Sequence, residues 1–252
     1  MAQLVPPHNS EEVKPLLLPQ TERAEERKRA EKLKKIPLDS RAVSDLLMLA
    51  MGAYTPLDGF MGRDDWRGVC RDMKLSNGVF WPIPITLSAD SGLANSIHAG
   101  EEVALINGEN GEILASMEVR AQYSIDKKFE AEHVYRTADP KHPGVAKVLQ
   151  QGDVNLAGPV LALSEGEYPV KYPNLYVRPA QSRAMFLERG WSNVAAFQTR
   201  NPMHRSHEHL VKIAVELSQR FQVSYWDGAI NAAAEELGAE ILYTEDLNHE
   251  QV

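Results

Sequence analysis

The chain has 252 residues, of which 43% are hydrophobic and 25% charged, and its formal net charge is -8. This composition is typical of a globular protein with room for one large or two modest domains. The acidic balance argues against a broad basic surface for nucleic acid, so any anion site must be confined to a short segment. The single cysteine, Cys70, excludes an intrachain disulfide and favours a reducing, cytoplasmic location.

Neither export nor membrane insertion is indicated by the sequence. The amino-terminal residues MAQLVPPHNSEEVKP lack the basic and apolar regions of a secretory signal. The longest apolar stretch, residues 46–54, is much shorter than the roughly 20 residues that a membrane helix needs. We therefore expect a soluble protein without a membrane partner.

Residues 21–35, TERAEERKRAEKLKK, mix acidic and basic side chains at helical spacing. Glu22, Glu25 and Glu31 stand three or four positions from basic residues, which predicts a solvated helix with internal ion pairs. The alternative, a nucleic-acid-binding arm, would contain fewer interleaved acids.

A second helix is predicted at residues 41–50. Asp39 or Ser40 is suited to cap its amino terminus, and Gly52 ends it before the turn-rich sequence TPLDGFMG. From residue 81 to residue 177 short alternating apolar runs then indicate a small mixed β domain. Within it, NGENGE at residues 107–112 predicts a hairpin loop.

Beyond Pro179 the pattern becomes that of an α/β protein, in which helices alternate with strands. The predicted elements are a helix at 180–189, a strand at 192–197, a helix at 202–220, a helix at 227–237 and a strand at 240–244.

The segment QTRNPMHRSHEHL, residues 198–210, contains the side chains best suited to chemistry. Pro202 is suited to the first helical position, so residues 198–201 are predicted to form a strand-to-helix turn. Such a turn lies at the carboxyl end of a strand, where the next helix offers free N–H groups and its positive dipole end. Arg200 adds a planar fork of donors that matches sulfate or phosphate.

Other side chains of the segment can complete an anion site. Gln198 and Asn201 offer amide donors, and Thr199 offers a hydroxyl. His204 and His207 are three residues apart and are predicted to share one helix face.

Three interpretations of the histidines remain open. They can bind zinc, although the sequence lacks an H-E-x-x-H arrangement and an obvious third ligand. Either one alone can have no functional role. As a pair behind an anion-binding turn, His204 and His207 are best explained as ligands of nucleotide phosphates, whereas His209 is offset from them.

QTRNPMHRSH resembles the ATP sulfurylase (sulfate adenylyltransferase) signature Gln-x-Arg-Asn-Pro-x-His-x-x-His. The resemblance runs from about residue 4 to about residue 210, and further segments share it in order and spacing: LVPPH, AYTPLDGFMG, SNGVFWPIPITL, HPGVAKVLQQGDVNLAGPV and RPAQSRAMFLERGW. It implies an α+β or α/β protein of two domains, in which a PUA-like mixed β domain precedes a truncated Rossmann-like nucleotidyltransferase domain. The expected boundaries are 1–168 for the first domain, 169–215 for the start of the second and 216–252 for a different carboxyl-terminal segment.

The resemblance also implies a reaction, in which ATP and sulfate give adenosine 5′-phosphosulfate and diphosphate. Gln198 and Arg200 are the implied sulfate ligands, and Thr199, Arg200 and Asn201 are the implied catalytic residues. His204 and His207, with Gln198 and Asn201, are the implied ATP ligands. Mg²⁺ is expected to arrive with the ATP, because no dedicated protein cage for it is evident.

The resemblance stops between about residues 210 and 224, and the second nucleotide motif of the family, Gly-Arg-Asp-His, is missing. The last thirty or so residues instead resemble a fragment of a PIN-type ribonuclease. There Asp227 and Glu245-Asp246 could converge on Mg²⁺. We favour the alternative that Asp227 is a helix-start acid and Glu245-Asp246 a turn, because a PIN site needs further acids.

Three hypotheses follow from the sequence. The first is a sulfate adenylyltransferase whose activity is weakened or lost without the second motif. The others are a Mg²⁺-dependent ribonuclease that uses Asp227 and Asp246, and a catalytically dead hybrid that keeps the anion-binding turn. Copies are expected to associate into a homo-oligomer if an apolar face is exposed.

Overall fold

A computed structural model describes residues 4–194, 205–222, 225–236 and 238 of the chain. By compactness the chain divides into a unit of residues Met1–Val194 and a unit of residues Ala195–Val252. In the described residues the helices are α1 (Gln20–Ala30), α2 (Ser40–Met51), α3 (Arg63–Asp72), α4 (Ser91–Asn95), α5 (Lys127–Val134), α6 (Pro143–Gln150), α7 (Tyr168–Lys171), α8 (Pro179–Glu188), α9 (Arg205–Phe221) and α10 (Tyr225–Glu236). The strands are β1 (Lys34–Leu38), β2 (Gly59–Phe60), β3 (Leu87–Ala89), β4 (Glu102–Asn107), β5 (Ile113–Glu118), β6 (Ala121–Ser124) and β7 (Val154–Ala162).

The sheet of the first unit is organised around β7. Its path runs β1-β4-β5-β7-β2, and β3 and β6 also pair with β7. β1 lies parallel to β4, whereas the other pairings are antiparallel. β7 changes partners near Gly158, whose φ of 157° and close approach to the carbonyl of Glu118 leave no space for a Cβ atom.

The main core lies between this sheet and α2. Its members are buried apolar side chains from strands and helices that are far apart in sequence, among them Ile36, Leu46, Leu105, Met117 and Leu156. Since β7 pairs with four other strands, its inward side chains, such as the fully buried Leu156, contact much of this core.

The predicted helix at 21–35 is wrong in its carboxyl-terminal part. The helix ends at Ala30, and Lys34–Leu38 form the edge strand β1. Ile36 and Leu38 point inwards in alternation with exposed Lys35 and Pro37, a period-two pattern that the preceding charged run obscured. Pairing with β4 decides the local structure here because it buries both apolar side chains.

α1 is also less solvated than predicted. Ala30 is fully buried, and the guanidinium of Arg27 donates to the carbonyls of Ile113 (3.0 Å) and Leu163 (3.3 Å). Within the described part of the chain, the ion pair inside α1 joins Glu26 to Arg29 instead of the three predicted acids. Hydrogen bonds from Arg29 lower the pKa of the Glu26 carboxyl despite its partial burial.

Several local predictions in the first unit are confirmed. Asp39 caps α2 by accepting from the N–H of Ala42 at 2.7 Å, and Gly52 ends the helix with a φ of 81°. The predicted hairpin joins β4 to β5, and its loop closes with a bond from Asn107 N–H to the carbonyl of Glu112 at 2.8 Å. The predicted helix at 180–189 is α8.

In the second unit the described residues form two helices, α9 and α10, which pack against each other. They confirm the helices predicted at 202–220 and 227–237, apart from the ends that lie outside the described residues. At their contact Gly228 lies so close to the Ala214 carbonyl and to Ser218 that a Cβ atom would overlap them, and Leu217 and Ala232 are buried. Residues 192–194 are not in a strand, and the rest of that predicted strand and the whole of 240–244 lie outside the described residues.

Crossing a bilayer requires a long and apolar helix. None of the helices in the described ranges is both long enough and apolar enough.

Candidate functional site

The segment that carries the predicted site lies mostly outside the described residues. This holds for Gln198, Thr199, Arg200, Asn201 and His204. The backbone of His207 belongs to the first turn of α9, in agreement with the predicted helix. The roles assigned to these six residues therefore stay predictions, and what the structure describes are the elements on either side.

α8, the helix that precedes the predicted turn, is anchored at its amino end by an ion pair with a buried carboxylate. The Nε of Arg178 donates to Glu165 Oε1 at 2.6 Å, and its Nη2 contacts the other carboxylate oxygen. Glu165 is 8% exposed, and it accepts a longer bond of 3.4 Å from the Tyr176 hydroxyl. Burial and the Glu165 charge raise the pKa of Tyr176 to about 12, so this phenol stays protonated and continues to donate.

Arg178 also begins the helix. Its backbone N–H donates to Gln181 Oε1 at 3.0 Å, and its guanidinium lies 5.4 Å from the centre of the Tyr176 ring. The bidentate pair and the bond to the Gln181 side chain fix the direction in which the chain enters α8.

The body of α8 is joined to the amino-terminal segment of the chain. Arg183 Nη2 donates to the carbonyl of Val5 at 2.6 Å. A second contact, 2.6 Å between His8 Nε2 and the Phe80 carbonyl, holds the same segment against the residues before Trp81. No sequence pattern indicates a bond between residues 178 positions apart, so the prediction missed this link.

At its carboxyl end α8 closes with a compact aromatic turn. Gly190 adopts a φ of 70°, and the N–H of Trp191 returns to the carbonyl of Phe186 at 2.8 Å. The two rings stack at 6.1 Å, and the Arg189 guanidinium lies 5.0 Å from the indole centre. Residues 178–191, RPAQSRAMFLERGW, which precede the QTRNPMHRSH motif in the sequence, are thus held by contacts at both ends of α8.

Of the three acidic residues in the alternative metal site, the structure describes one. Asp227 is half-buried on the first turn of α10, in agreement with a helix-start acid, whereas Glu245 and Asp246 lie outside the described residues. Among the described residues, no group of three or more His, Cys, Asp or Glu side chains is arranged to hold a metal ion.

A polar cavity of about 420 Å³ in the first unit was not predicted from the sequence. It lies at the amino end of α2, and Arg41 and Lys147 supply its cationic lining. Hydroxyls and amides complete the wall, including Ser88, whose oxygen accepts from the Gly152 N–H at 3.2 Å, and Gln151, whose Nε2 is buried without a bonded partner among the described residues. Its described lining residues all lie between Pro37 and Gly152, far from the predicted motif in sequence.

Buried ionisable groups in the first unit serve packing. Glu130 is 1% exposed and accepts from the indole N–H of Trp66 at 2.7 Å. Burial, reinforced by the Glu130 charge, raises the pKa of the Cys70 thiol well above its ordinary value. A thiol held in its neutral form is a poor nucleophile, so Cys70 belongs to the core.

Comparison with known families divides the chain into two matches. Residues 5–165 match the family model described as PUA-like domain, and residues 173–225 match the model described as ATP-sulfurylase. The second match contains the whole QTRNPMHRSH motif and reaches beyond residue 210, where the predicted resemblance ends. It confirms the resemblance to ATP sulfurylases, whereas the likeness of the tail to a PIN-type ribonuclease stays a prediction.

Curated relatives point in the same direction. The chain is 57% identical over 219 residues to a sulfate adenylyltransferase from Syntrophobacter fumaroxidans and 55% identical over 215 residues to one from Chlorobaculum tepidum. These alignments cover 86% and 85% of this chain but 53% of each relative. The chain therefore spans about half the length of the curated relatives it matches.

A solved structure has a similar fold. It is described as a hexameric APS kinase from Thiobacillus denitrificans, and the similarity covers 85% of this chain and 38% of that one. The TM-score is 0.65 at 31% sequence identity. The mixed α and β architecture of the described residues is thus shared with a known structure.

Proposed function

The chain belongs to the PUA-like domain family, and we propose that it acts as a sulfate adenylyltransferase, which joins ATP and sulfate to give adenosine 5′-phosphosulfate and diphosphate. The observation that carries the proposal is the match of residues 173–225 to ATP-sulfurylase, because this segment contains the side chains suited to two anions. Relatives called sulfate adenylyltransferase, at 51–57% identity, support the same activity.

The proposal assigns the two parts of the chain different tasks. Residues 1–168 form the PUA-like domain, and residues 169–215 begin a Rossmann-like nucleotidyltransferase domain. The expected start of a separate segment at residue 216 falls inside α9 and inside the match that extends to residue 225. The reacting groups are held by the nucleotidyltransferase part. The cap and ion pair at Arg178 support this assignment, because they anchor the helix that ends ten residues before Gln198.

The proposed reaction is a direct displacement at phosphorus. A sulfate oxygen forms a bond to the α-phosphorus of ATP, and the bond from that phosphorus to the bridging oxygen of the β-phosphate breaks. Diphosphate leaves with the electron pair. Sulfate is fully ionised at neutral pH, so no side chain has to remove a proton, and the protein contributes alignment and charge neutralisation.

Sulfate binding is assigned to the turn. Arg200 places a planar fork of donors against two sulfate oxygens, and Gln198 adds an amide donor. The backbone N–H groups around Thr199 and Asn201, at the predicted start of a helix, would direct further partial positive charge to the same point. The cluster offsets the repulsion between sulfate and the triphosphate.

ATP binding is assigned to the histidine pair, with Gln198 and Asn201 as further contacts. His204 and His207 donate hydrogen bonds to phosphate oxygens as negative charge increases on the leaving group. Mg²⁺ belongs to the substrate in this scheme, because ATP enters as its magnesium complex.

The proposal also concerns partners and location. ATP and sulfate are its small-molecule partners, and the protein works in the cytoplasm without nucleic acid or membrane. Association of copies into a homo-oligomer is part of the proposal, supported by the description of the similar Thiobacillus denitrificans structure as hexameric. Size-exclusion chromatography with light scattering measures it directly.

Diphosphate release tests the activity. Purified chain with MgATP is expected to release diphosphate only when sulfate is present. Arg200→Ala should lower the sulfate-dependent rate by about 100-fold or more, because it removes the main charge that holds sulfate. Arg200→Lys should recover only part of the rate, since a point charge cannot bind two oxygens in one plane.

Arg205→Ala is the matched control, because Arg205 is an exposed cation in the same motif without a proposed role. Its rate should equal that of the parent chain. If the folded parent releases no more diphosphate than Arg200→Ala does, the proposed activity of this chain is wrong.

A further inference from the structure

The first unit contains a groove between α2 and the segment that follows β7. Two adjoining cavities form it, of about 350 Å³ and 420 Å³, and they share the lining residues Ser44, Leu47 and Tyr168. The described residues that line the two cavities belong to α2, the β4–β5 hairpin and residues 166–176, and none of them has a role in the proposed reaction. This surface is therefore a separate feature of the first unit.

The first half of the groove is apolar and rich in tyrosine and methionine. Met48 and Met51 form its floor on α2, and Tyr168, Tyr172 and Tyr176 form its wall. Tyr168 and Tyr172 are 47% and 43% exposed. Tyrosine and methionine are enriched in the centres of protein interfaces, because they offer large and adaptable contact areas.

Further exposed apolar side chains lie in the segment that forms the apolar half of the groove. Leu175 lines the cavity and is 79% exposed, and Val170, which follows Tyr168 in the same segment, is 85% exposed. Single exposed apolar residues need no explanation, but a run of them beside a preformed apolar cavity indicates a binding surface.

The second half of the groove is acidic. The charged residues that line it are Glu109, Glu112 and Glu167, and no lysine or arginine is among its described lining residues. Lys171 pairs with Glu167 at 3.4 Å, and the Ser164 hydroxyl donates to one oxygen of Glu112. Glu109 lies on the hairpin loop and is exposed.

We propose that this groove binds a polypeptide segment of a partner protein in which apolar side chains stand next to lysine or arginine. The apolar side chains fill the tyrosine-lined cavity, and the basic side chains lie against the glutamates. The occupant needs both properties close together in its sequence, because the two halves adjoin at Ser44, Leu47 and Tyr168.

The negative charge of the groove disfavours two other occupants, a second copy of this chain and an anionic lipid surface. A second copy of this chain brings a net charge of -8 to an acidic surface, which opposes association through the groove. An anionic lipid surface is repelled by the glutamates for the same reason.

Fluorescence anisotropy with a labelled peptide tests the proposal on the full chain, without ATP or sulfate, so the result is independent of the proposed catalytic activity. The probe is a peptide of about 12 residues in which two phenylalanines alternate with three lysines within Gly-Ser spacers. We expect saturable binding that weakens as salt increases. Peptides with glutamate in place of lysine, or alanine in place of phenylalanine, should bind at least about fivefold more weakly.

Protein variants locate the binding. Leu175→Ala and Glu109→Lys should each weaken binding about fivefold or more. Their controls are Leu149→Ala and Glu25→Lys, which change an exposed leucine and an exposed glutamate outside the groove and should leave binding within about twofold. Both test residues are exposed, so circular dichroism should confirm an unchanged fold.

Three results would overturn the proposal. The first is absence of saturable binding by the folded chain, and the second is equal binding of the lysine and glutamate peptides. The third is a concentration-dependent dimer that Leu175→Ala abolishes, which would make a second copy the occupant.

Discussion

The two units of the chain are built in different ways. In the first, the strand β7 pairs with four other strands, and the core contains residues that are more than a hundred positions apart in the sequence. In the second, the described residues form a local pair of helices whose contact depends on Gly228 and a few small side chains. The ATP-sulfurylase match, residues 173–225, includes both the proposed anion-binding motif and α9 in sequence. The unit with the larger described core is therefore not the one to which the chemistry is assigned.

The largest effect is expected in the core of the first unit. Leu156→Ala removes a fully buried side chain from β7 and should lower the free energy of unfolding by about 2–5 kcal/mol. Leu161→Ala, on the same strand but 42% exposed, should cost less than about 1 kcal/mol. Urea unfolding monitored by circular dichroism compares the two, and equal losses would contradict the central place of β7.

A smaller and local effect is expected at the helix pair. Gly228→Leu forces α9 and α10 apart, because a side chain would overlap the backbone near Ala214, and should destabilise their contact by about 1–3 kcal/mol. Hydrogen exchange should become faster at residues 205–236 while β4, β5 and β7 keep their protection. Ile230→Ala, exposed on the same helix, is the control. Faster exchange throughout the first unit would show that the two units unfold together.

A still smaller local effect is expected at the ion pair between Glu165, which follows β7, and Arg178, which precedes α8. Glu165→Gln leaves Arg178 without its buried carboxylate and should destabilise the start of α8 by about 1–2 kcal/mol, less than a fully buried pair because Arg178 is partly exposed. Exchange at residues 179–188 measures this loss. Glu167→Gln, two residues away and exposed, should change it by less than about 0.5 kcal/mol.

The smallest effect concerns the buried carboxyl of Asp45. Burial raises its pKa above the ordinary value of 3.8, and Arg41 and the Tyr54 hydroxyl (3.1 Å) oppose this only partly. With a raised folded pKa, the stability that Asp45 contributes is fully present below pH 3.8 and is lost as pH rises through the folded value. Asp45→Asn should therefore raise the melting temperature by roughly 1–3 °C at neutral pH, and this gain should disappear towards acid pH. A constant gain at every pH would rule out titration of Asp45 as its cause.

The sequence predicted best those features that local chemistry decides. The Asp39 cap, the Gly52 stop and the loop between Asn107 and Glu112 each depend on side chains within a few positions, and all three are confirmed. β1 was missed because the charged residues before it continue a helical pattern. Only its parallel pairing with β4, almost seventy positions later, explains why Ile36 and Leu38 are buried in a strand.

The candidate site divides in the same way. The motif could be found in the sequence, because the spacing of Arg200, His204 and His207 resembles the ATP sulfurylase signature. The contacts of the preceding helix α8 could not be predicted, since the bonds Arg183–Val5 and Arg178–Glu165 depend on the folded path of the chain. The tyrosine-lined groove was also missed, because α2 and residues 168–176 come together only through β7.

Sulfate binding tests the central claim most directly. Equilibrium dialysis of the full chain with radiolabelled sulfate, in the presence of Mg²⁺ and an ATP analogue that cannot be cleaved between its α- and β-phosphates, should give saturable binding. Arg200→Ala should weaken it by about tenfold or more, whereas Arg205→Ala should bind sulfate as the parent chain does. Equal binding by the two variants, or absence of saturable binding to the folded parent, would contradict the assignment of QTRNPMHRSH as the sulfate and nucleotide site.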